Sequence, residues 1–166
     1  LVNPTSGQGD SAVVVSQNGT GTINLLFENN TIWDFNDSGL QIFFDAEGPS
    51  DPNGGTLNAT IRNNSIDEAS GAQNDAIEII GNDVVDVCFD ITGNTLDSPT
   101  GRAITVDVFG EPGAIFRVRN YTGGGEGGIE ALLALQNGAL TPTTDVRVFS
   151  LAPSTIGGGG APCLLP

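Results

Sequence analysis

The chain has 166 residues, which is the length of one ordinary domain. Twenty acidic residues against five basic ones leave a formal net charge of −15 at pH 7, which makes nucleic acid and anionic membranes poor partners. All five basic residues are arginines and the sequence contains no histidine, so histidine acid–base catalysis, Schiff-base chemistry and histidine-bound metals are excluded.

The composition is that of strands joined by turns. Glycine is abundant, with 24 residues, while charged residues make up only 15% of the chain, which is atypical of a helical protein. No stretch has the roughly 18 consecutive apolar residues of a membrane span, so we expect no membrane insertion. The chain begins at Leu1 without an initiator methionine or a signal peptide, and we expect it to be a processed piece of a longer protein.

Alternating apolar and polar residues predict two types of short strand that follow each other along the chain. Polar turns separate the two types in each unit. Strands of the first type lie at residues 12–15, 40–43, 77–80 and 104–108, and those of the second type at 21–32, 55–66, 87–96 and 114–121.

The second type of strand is an internal repeat. Residues 21–32 return as residues 55–66 with six identities in twelve positions, and weaker copies begin at Val87 and Ala114. Units of about 30 residues predict an all-β fold, a right-handed parallel β-helix (solenoid) of about four coils. A β-sandwich is the alternative, but it gives no reason for Asn-Asn-Thr-Ile at 29–32 to recur as Asn-Asn-Ser-Ile at 63–66, the same point of the unit.

Stacking the copies predicts which side chains face inward. The pairs Glu28–Arg62 and Asp90–Arg117 then lie one strand apart on the outer surface, where such pairs contribute roughly 0.2–1 kcal/mol. The predicted inward columns are Ile23/Leu57/Val87/Ala114, Leu25/Ala59/Phe89/Phe116 and Phe27/Ile61/Ile91/Val118.

An asparagine column marks the point where each strand turns a corner. Asn30, Asn64 and Asn94 occupy equivalent positions and predict a structural ladder of stacked side-chain amides. The functional alternative is N-glycosylation, because several asparagines begin an Asn-x-Ser/Thr motif. The motifs considered begin at Asn18, Asn29, Asn58 and Asn120.

The two ends of the chain differ. After a glycine-rich link at 123–128, residues 129–136 predict a short helix that caps the last coil, followed by a strand at 146–149 and a glycine-rich tail. The sequence thus divides into coils at 1–122 and a C-terminal cap at 123–166. The incomplete first coil at 12–15 has no such cap, which predicts self-association into an oligomer or filament.

Residues 55–166 resemble the C-terminal end of large bacterial secreted or cell-surface right-handed β-helix repeat proteins. The likeness lies in the units 87–96 and 115–121, the short helix and the late Cys-x-x-Pro at 163–166. It implies an extracellular, adhesin-like or surface-layer-like role. The same coil also carries pectate-lyase-type enzymes, so the resemblance decides nothing about activity.

One stretch has the spacing of calcium ligands. Asp34, Asn36 and Ser38 stand at positions 1, 3 and 5 of a loop with glycine at position 6, and Asp45 stands at position 12. The residues after Gly39 predict a strand where such loops have a helix, and the sister turns at 67–71 and 97–101 also run from aspartate to glycine. Calcium and ordinary turn chemistry therefore both remain open, and no other cofactor is predicted.

The two cysteines are Cys88, which alternation places on the outside of the third coil, and Cys163 in the tail. Free thiols, a metal pair and a disulfide are the possible states. Two sulfurs without histidine make a poor zinc site, and secretion favours the disulfide.

No reactive constellation stands out, and no catalytic residue is predicted. A polysaccharide lyase would have to use Arg62, Arg117 or Arg119 with Asp90, and a glycosidase would need a carboxylate pair such as Glu78 and Asp107. The expected function is a non-enzymatic extracellular structural or adhesive module that meets other copies, calcium or glycans, and the alternative is a carbohydrate-active β-helix.

Overall fold

A computed structural model describes residues 11–35, 37–45, 55–67, 75–98, 101–121, 123, 125–138, 140–151 and 155–156. These residues form an all-β fold of parallel sheets with one short helix. The strands are β1 (Val13–Asn18), β2 (Thr22–Glu28), β3 (Thr31–Trp33), β4 (Leu40–Asp45), β5 (Thr56–Arg62), β6 (Ser65–Asp67), β7 (Ile77–Thr92), β8 (Thr95–Asp97), β9 (Ile104–Val118), β10 (Val146–Leu151) and β11 (Thr155–Ile156), and helix α1 (Glu126–Gln136) lies between β9 and β10.

The strands pair in three parallel ladders that the chain visits in the same order. Ladder one joins β1, β4, the first part of β7, the first part of β9, and β10. Ladder two joins β2, β5, the second part of β7, the second part of β9, and β11. Ladder three joins the short strands β3, β6 and β8. Each passage of the chain through the ladders is one repeat unit.

The predicted register of the first three units is confirmed. Ile23 pairs with Leu57 and Leu57 with Val87, as the twelve-residue repeat requires. The register predicted for the fourth unit is wrong by two residues, because Phe116 rather than Ala114 lies opposite Val87.

The shift in the fourth unit follows an irregularity in β9. Val84 pairs with Gly110, but Asp86 pairs with Ile115, so β9 carries extra residues between the two pairs. The sequence has Pro112 in this stretch, and proline has no amide N–H to donate to a ladder. A shift of two residues preserves the inward and outward sides, which is why the fourth strand still follows the predicted alternation.

The inward side chains of all three ladders form a single core. In the middle units they are fully buried, as Ile42, Ile79 and Ala59 are at 0% exposure. Ladder three contributes its central residues Ile32 and Ile66. Many of these inward residues are β-branched or aromatic, and such side chains favour strands because they fit a pleated, half-buried surface.

Two strands are longer than the sequence predicts. β7 and β9 each continue without a break through the point where a polar turn was expected between the two strand types. Strands also return after the helix: β10 pairs with β9 as a further member of ladder one, and the two-residue β11 pairs with β9 in ladder two. The stack therefore continues beyond the fourth unit.

Helix α1 is confirmed, although it begins at Glu126, three residues before the predicted start. Glu126 lies in the first turn, where its negative charge interacts favourably with the positive end of the helix dipole. The helix buries Ile129 and Leu133, and its Glu130 Oε1 accepts a hydrogen bond of 3.0 Å from the N–H of Val148 on β10. In the described part of the chain, no helix is both long and apolar enough to cross a lipid bilayer.

Candidate functional site

The asparagine column is a continuous chain of hydrogen bonds. Asn64 Oδ1 accepts hydrogen bonds from the backbone N–H of Asn30 at 2.9 Å and from its Nδ2 at 3.0 Å. Asn94 Oδ1 accepts the same pair from Asn64, at 3.0 and 2.9 Å. The structural ladder predicted from the repeat is therefore present, and we call it the asparagine ladder.

The second proton of each amide holds the neighbouring strand. Asn64 Nδ2 also donates to the carbonyl oxygen of Phe27, and Asn94 Nδ2 to that of Ile61, both at 3.0 Å. Asn64 and Asn94 are 2% and 3% exposed, so their amides lie within the protein. Buried polar groups are costly without partners, and here both ends of each amide are satisfied.

The residue before each ladder asparagine turns the chain through a left-handed corner. Asn29, Asn63 and Gly93 have φ angles of 58°, 55° and 68°. Asparagine and glycine tolerate this conformation better than other residues do. Each unit needs a residue that tolerates this conformation directly before the ladder asparagine, so the two positions stay adjacent in every copy. The loops between units have no such requirement and differ in length.

Asn137 is a fourth member of the asparagine ladder that the sequence did not reveal. Its Oδ1 accepts hydrogen bonds from the N–H and Nδ2 of Asn94 at 3.2 and 2.8 Å. Its Nδ2 donates to the carbonyl oxygens of Ile91 and Leu133 at 2.9 and 2.8 Å. Asn137 is the C-cap of α1, so the helix both covers the stack and ends the ladder.

The outer side of ladder one carries the other polar cluster, which we call the polar face: Gln41, Glu78, Thr105, Asp107 and Arg147. Glu78 Oε2 accepts hydrogen bonds from Ser38 Oγ at 2.9 Å and from Gln41 Nε2 at 2.8 Å. Arg147 forms an ion pair with Asp107 at 3.2 Å. Register places Glu78 opposite Thr105 and therefore diagonal to Asp107, so the carboxylate pair considered from the sequence lies on one face.

Asp107 is the most perturbed acid of the polar face. Burial raises its pKa above the ordinary value of 3.8, the charge of Arg147 lowers it, and the nearby Asp75 raises it further. Its Oδ1 is buried and has no hydrogen-bond partner in the described part of the chain, and the same holds for Thr105 Oγ1. A carboxyl group that retains its proton to higher pH has the property required of a general acid.

This pKa shift predicts the effect of Asp107→Asn on stability. A raised pKa in the folded state means that ionisation of Asp107 costs folding free energy, so its favourable contribution is complete below pH 3.8 and is lost as pH rises through the raised value. Asp107→Asn should therefore be more stable than the parent protein at pH 7, with the difference closing toward pH 3.8.

Thermal unfolding measured from pH 3.5 to pH 8 checks this expectation. The exposed Asp97→Asn variant removes one negative charge from ladder three and serves as the control. An Asp107→Asn variant that is less stable than the parent at neutral pH would show that the ion pair with Arg147 outweighs burial.

Three arginines considered for a lyase each form an ion pair. Arg62 Nε lies 2.7 Å from Glu28 Oε2, as predicted. The predicted pair Asp90–Arg117 is wrong: Arg119 binds Asp90 at 2.9 Å, and Arg117 Nη2 contacts both carboxylate oxygens of Asp86 at 2.6 and 2.5 Å. The two-residue register shift of β9 is the physical reason for this exchange.

The calcium ligands considered from the sequence are only partly described. Asp34 follows β3 with a φ of 58° and donates its backbone N–H to the carbonyl oxygen of Asp67. Ser38 is 1% exposed and its hydroxyl donates to Glu78. Asn36 and the side chain of Asp45 lie outside the described residues, so calcium binding stays a prediction. Among the described residues, no group of three or more acidic or cysteine side chains is placed to hold a metal.

Cys88 lies on the outer side of β7, between the inward Val87 and Phe89, as predicted. Cys88 is 0% exposed, so other residues cover this part of the outer side. Neighbouring outward residues Thr60 and Asp90 are buried as well, at 1% and 6%. No free cysteine occurs among the described residues, and Cys163 lies outside them, so the Cys88–Cys163 disulfide stays a prediction.

The three strand ladders, the asparagine ladder and the polar face are the main features of the residues that the structure describes. Comparison of the chain with protein-family models, curated proteins and solved structures finds no match.

Proposed function

We propose that this chain is a non-enzymatic extracellular structural or adhesive module, built as a right-handed parallel β-helix of about four coils with a helical cap. Three parallel ladders visited in a constant order around one core support the β-helix. Its right hand follows from the rule that crossovers between parallel strands are right-handed in nearly all proteins.

The observation that carries the proposal is the asparagine ladder closed by Asn137. Its buried side chains direct their hydrogen bonds to one another and to the backbone of adjacent strands, which serves stacking. The arginines of ladder two are likewise engaged by acids of neighbouring strands. These polar groups hold units together and leave few charges free for chemistry on that surface.

Assembly is proposed to occur at the N-terminal end of the stack. Helix α1 packs against β10 and β7, so the C-terminal end is covered. Val13, Ile23 and Phe27 of the first unit are only partly buried, whereas their counterparts in the next units are buried completely. Contact between two such ends buries this apolar row, and the covered end limits growth to a pair rather than a filament.

A carbohydrate-active β-helix is the second candidate, because Glu78 and Asp107 lie on one face and the pKa of Asp107 is raised. Incubation with pectin, alginate and related uronans in the presence of calcium distinguishes the two functions. The structural proposal expects no unsaturated product and no new reducing ends. Release of either product that is lost in both Glu78→Gln and Asp107→Asn would overturn it and establish the enzyme.

A further inference from the structure

The asparagine ladder has a direction. Each side-chain Oδ1 accepts from the unit before it, and each Nδ2 donates to the unit after it. The series of amide–amide hydrogen bonds ends at Asn137. Its Oδ1 accepts from Asn94, and its Nδ2 donates to two backbone carbonyl oxygens instead of another asparagine. At the N-terminal end of the described residues, the first asparagine of the ladder accepts no such bond.

The open group is the Oδ1 atom of Asn30. The backbone N–H and Nδ2 of Asn30 donate to Asn64 Oδ1, and Nδ2 also donates to the carbonyl oxygen of Glu28. No hydrogen bond from the described residues reaches Asn30 Oδ1, whereas Asn64, Asn94 and Asn137 each accept two there. An additional unit would supply the missing backbone N–H and amide.

The apolar surface beside Asn30 matches the same additional unit. Leu25 and Phe27 of β2 and Val15 of β1 are partly buried members of the core, on the outermost described strands of ladders two and one. Their counterparts Ala59, Ile61 and Ile42 are 0% exposed because another unit lies over them. The N-terminal end therefore presents an apolar row and an acceptor in the geometry that every interior unit presents to its neighbour.

Ladder polarity makes a second copy a poorer match for this end than another repeat unit would be. A head-to-tail contact would require donors at the covered end, where the Asn137 amide already donates to two carbonyl oxygens. A contact between two N-terminal ends would place one Asn30 Oδ1 toward another, and two acceptors cannot bond. Such a pair buries apolar surface but leaves the ladder acceptors unsatisfied.

We infer that the N-terminal end of the stack is a docking surface for one more unit of the same repeat, with asparagine at the ladder position. Its backbone N–H and Nδ2 donate to Asn30 Oδ1, and its inward side chains cover Val15, Leu25 and Phe27. This inference rests on the proposed β-helix. It differs from the pairing of two copies in its occupant, because the N-terminal end is covered by a further repeat unit of the same polypeptide.

An added unit tests the inference directly. Residues 1–10 are replaced by a copy of residues 40–74, which contains β4, β5 and β6 with the following connection. The natural copy leads into Ala76-Ile77, and the added copy would lead into the equivalent Ala12-Val13, since Val13 and Ile77 both pair with Leu40. The matched control carries Asn64→Ala in the added copy only.

The added unit is expected to unfold together with the rest in one transition, with Tm raised by about 5 °C or more, because stability in stacked repeats grows with each interface between units. The extended chain should also be monomeric at concentrations where the parent pairs. The control should lose most of the gain in Tm, and amide exchange should show the added asparagine N–H protected only with the ladder intact.

Three outcomes would overturn the inference: an added unit that melts separately, an extended chain that fails to fold, or a control with the full gain in Tm. None of them bears on whether the protein is an enzyme, which the uronan assay tests on the parent chain. Uronan cleavage, in turn, would refute the proposed function and leave the docking result unchanged.

Discussion

Replacement of Asn94 by alanine should lower the free energy of unfolding by about 3–5 kcal/mol, because each buried polar group left without a partner costs roughly 1–3 kcal/mol. The Asn94 side chain makes four hydrogen bonds and is 3% exposed. Its loss leaves the backbone N–H of Asn64 without its acceptor. It also removes one hydrogen bond each from Asn64 Nδ2, the Ile61 carbonyl oxygen and Asn137 Oδ1, although Asn137 Oδ1 keeps its bond from the backbone N–H of residue 94. Urea unfolding with an unchanged m-value measures the effect.

Asn30→Ala is the matched control for this prediction. It removes the same chemical group from the open end of the asparagine ladder, where the side chain makes only two hydrogen bonds and accepts none from the described residues. Asn64 Oδ1 keeps its bond from the backbone N–H of residue 30. We expect a loss of about 1 kcal/mol or less. Equal losses for the two variants would mean that the ladder does not act as a connected chain.

The repeat predicts the fold as far as the copies agree. Identities between residues 21–32 and 55–66 fix the register of β2 and β5, and the same spacing carries it to β7. The fourth copy has no asparagine pair at the corner, and extra residues around Pro112 change the pairing of β9. Apolar alternation alone specifies the inward side but permits a slip of two residues.

Asn137 was missed because its position is set by packing rather than by the repeat. It lies 43 residues after Asn94, and it follows a helix instead of a strand. The Asn-Gly step at 137–138 also has the ordinary sequence of a helix end, which gives no hint of a ladder position. The sequence does contain a signal for Asn137. The amide of Asn94 needs an acceptor on its C-terminal side, and the capping helix ends in an asparagine.

Alternation alone does not predict that the outer surface near Cys88 is buried. Alternation assigns a side chain to one side of a strand, but exposure depends on what packs over that side. Thr60, Cys88 and Asp90 are all buried although they lie opposite the core. For the polar face, the sequence did identify Glu78 and Asp107 as neighbours, whereas the raised pKa of Asp107 depends on burial and on Asp75.

The Cys88–Cys163 disulfide is expected to contribute roughly 3–4.7 kcal/mol, the range that the chain-entropy estimate gives for loops of about 15 to 100 residues. The bond would close a loop of about 75 residues that contains β8, β9, α1, β10 and β11. Intact mass after alkylation without reductant should show no modified thiol in protein unfolded by denaturant. Two alkylated cysteines would refute the bond.

Cys163→Ser isolates the energetic effect of this bond better than Cys88→Ser does. Because Cys88 is 0% exposed, serine at that position also buries a hydroxyl group, which has a cost of its own. Cys163→Ser should lower Tm, and addition of dithiothreitol should lower the Tm of the parent protein to the same value. The reductant should not change the Tm of Cys163→Ser. If reduction leaves the parent Tm unchanged while Cys163→Ser lowers it, then Cys163 stabilises the fold by packing, and the outer side of β7 is not held by a covalent bond.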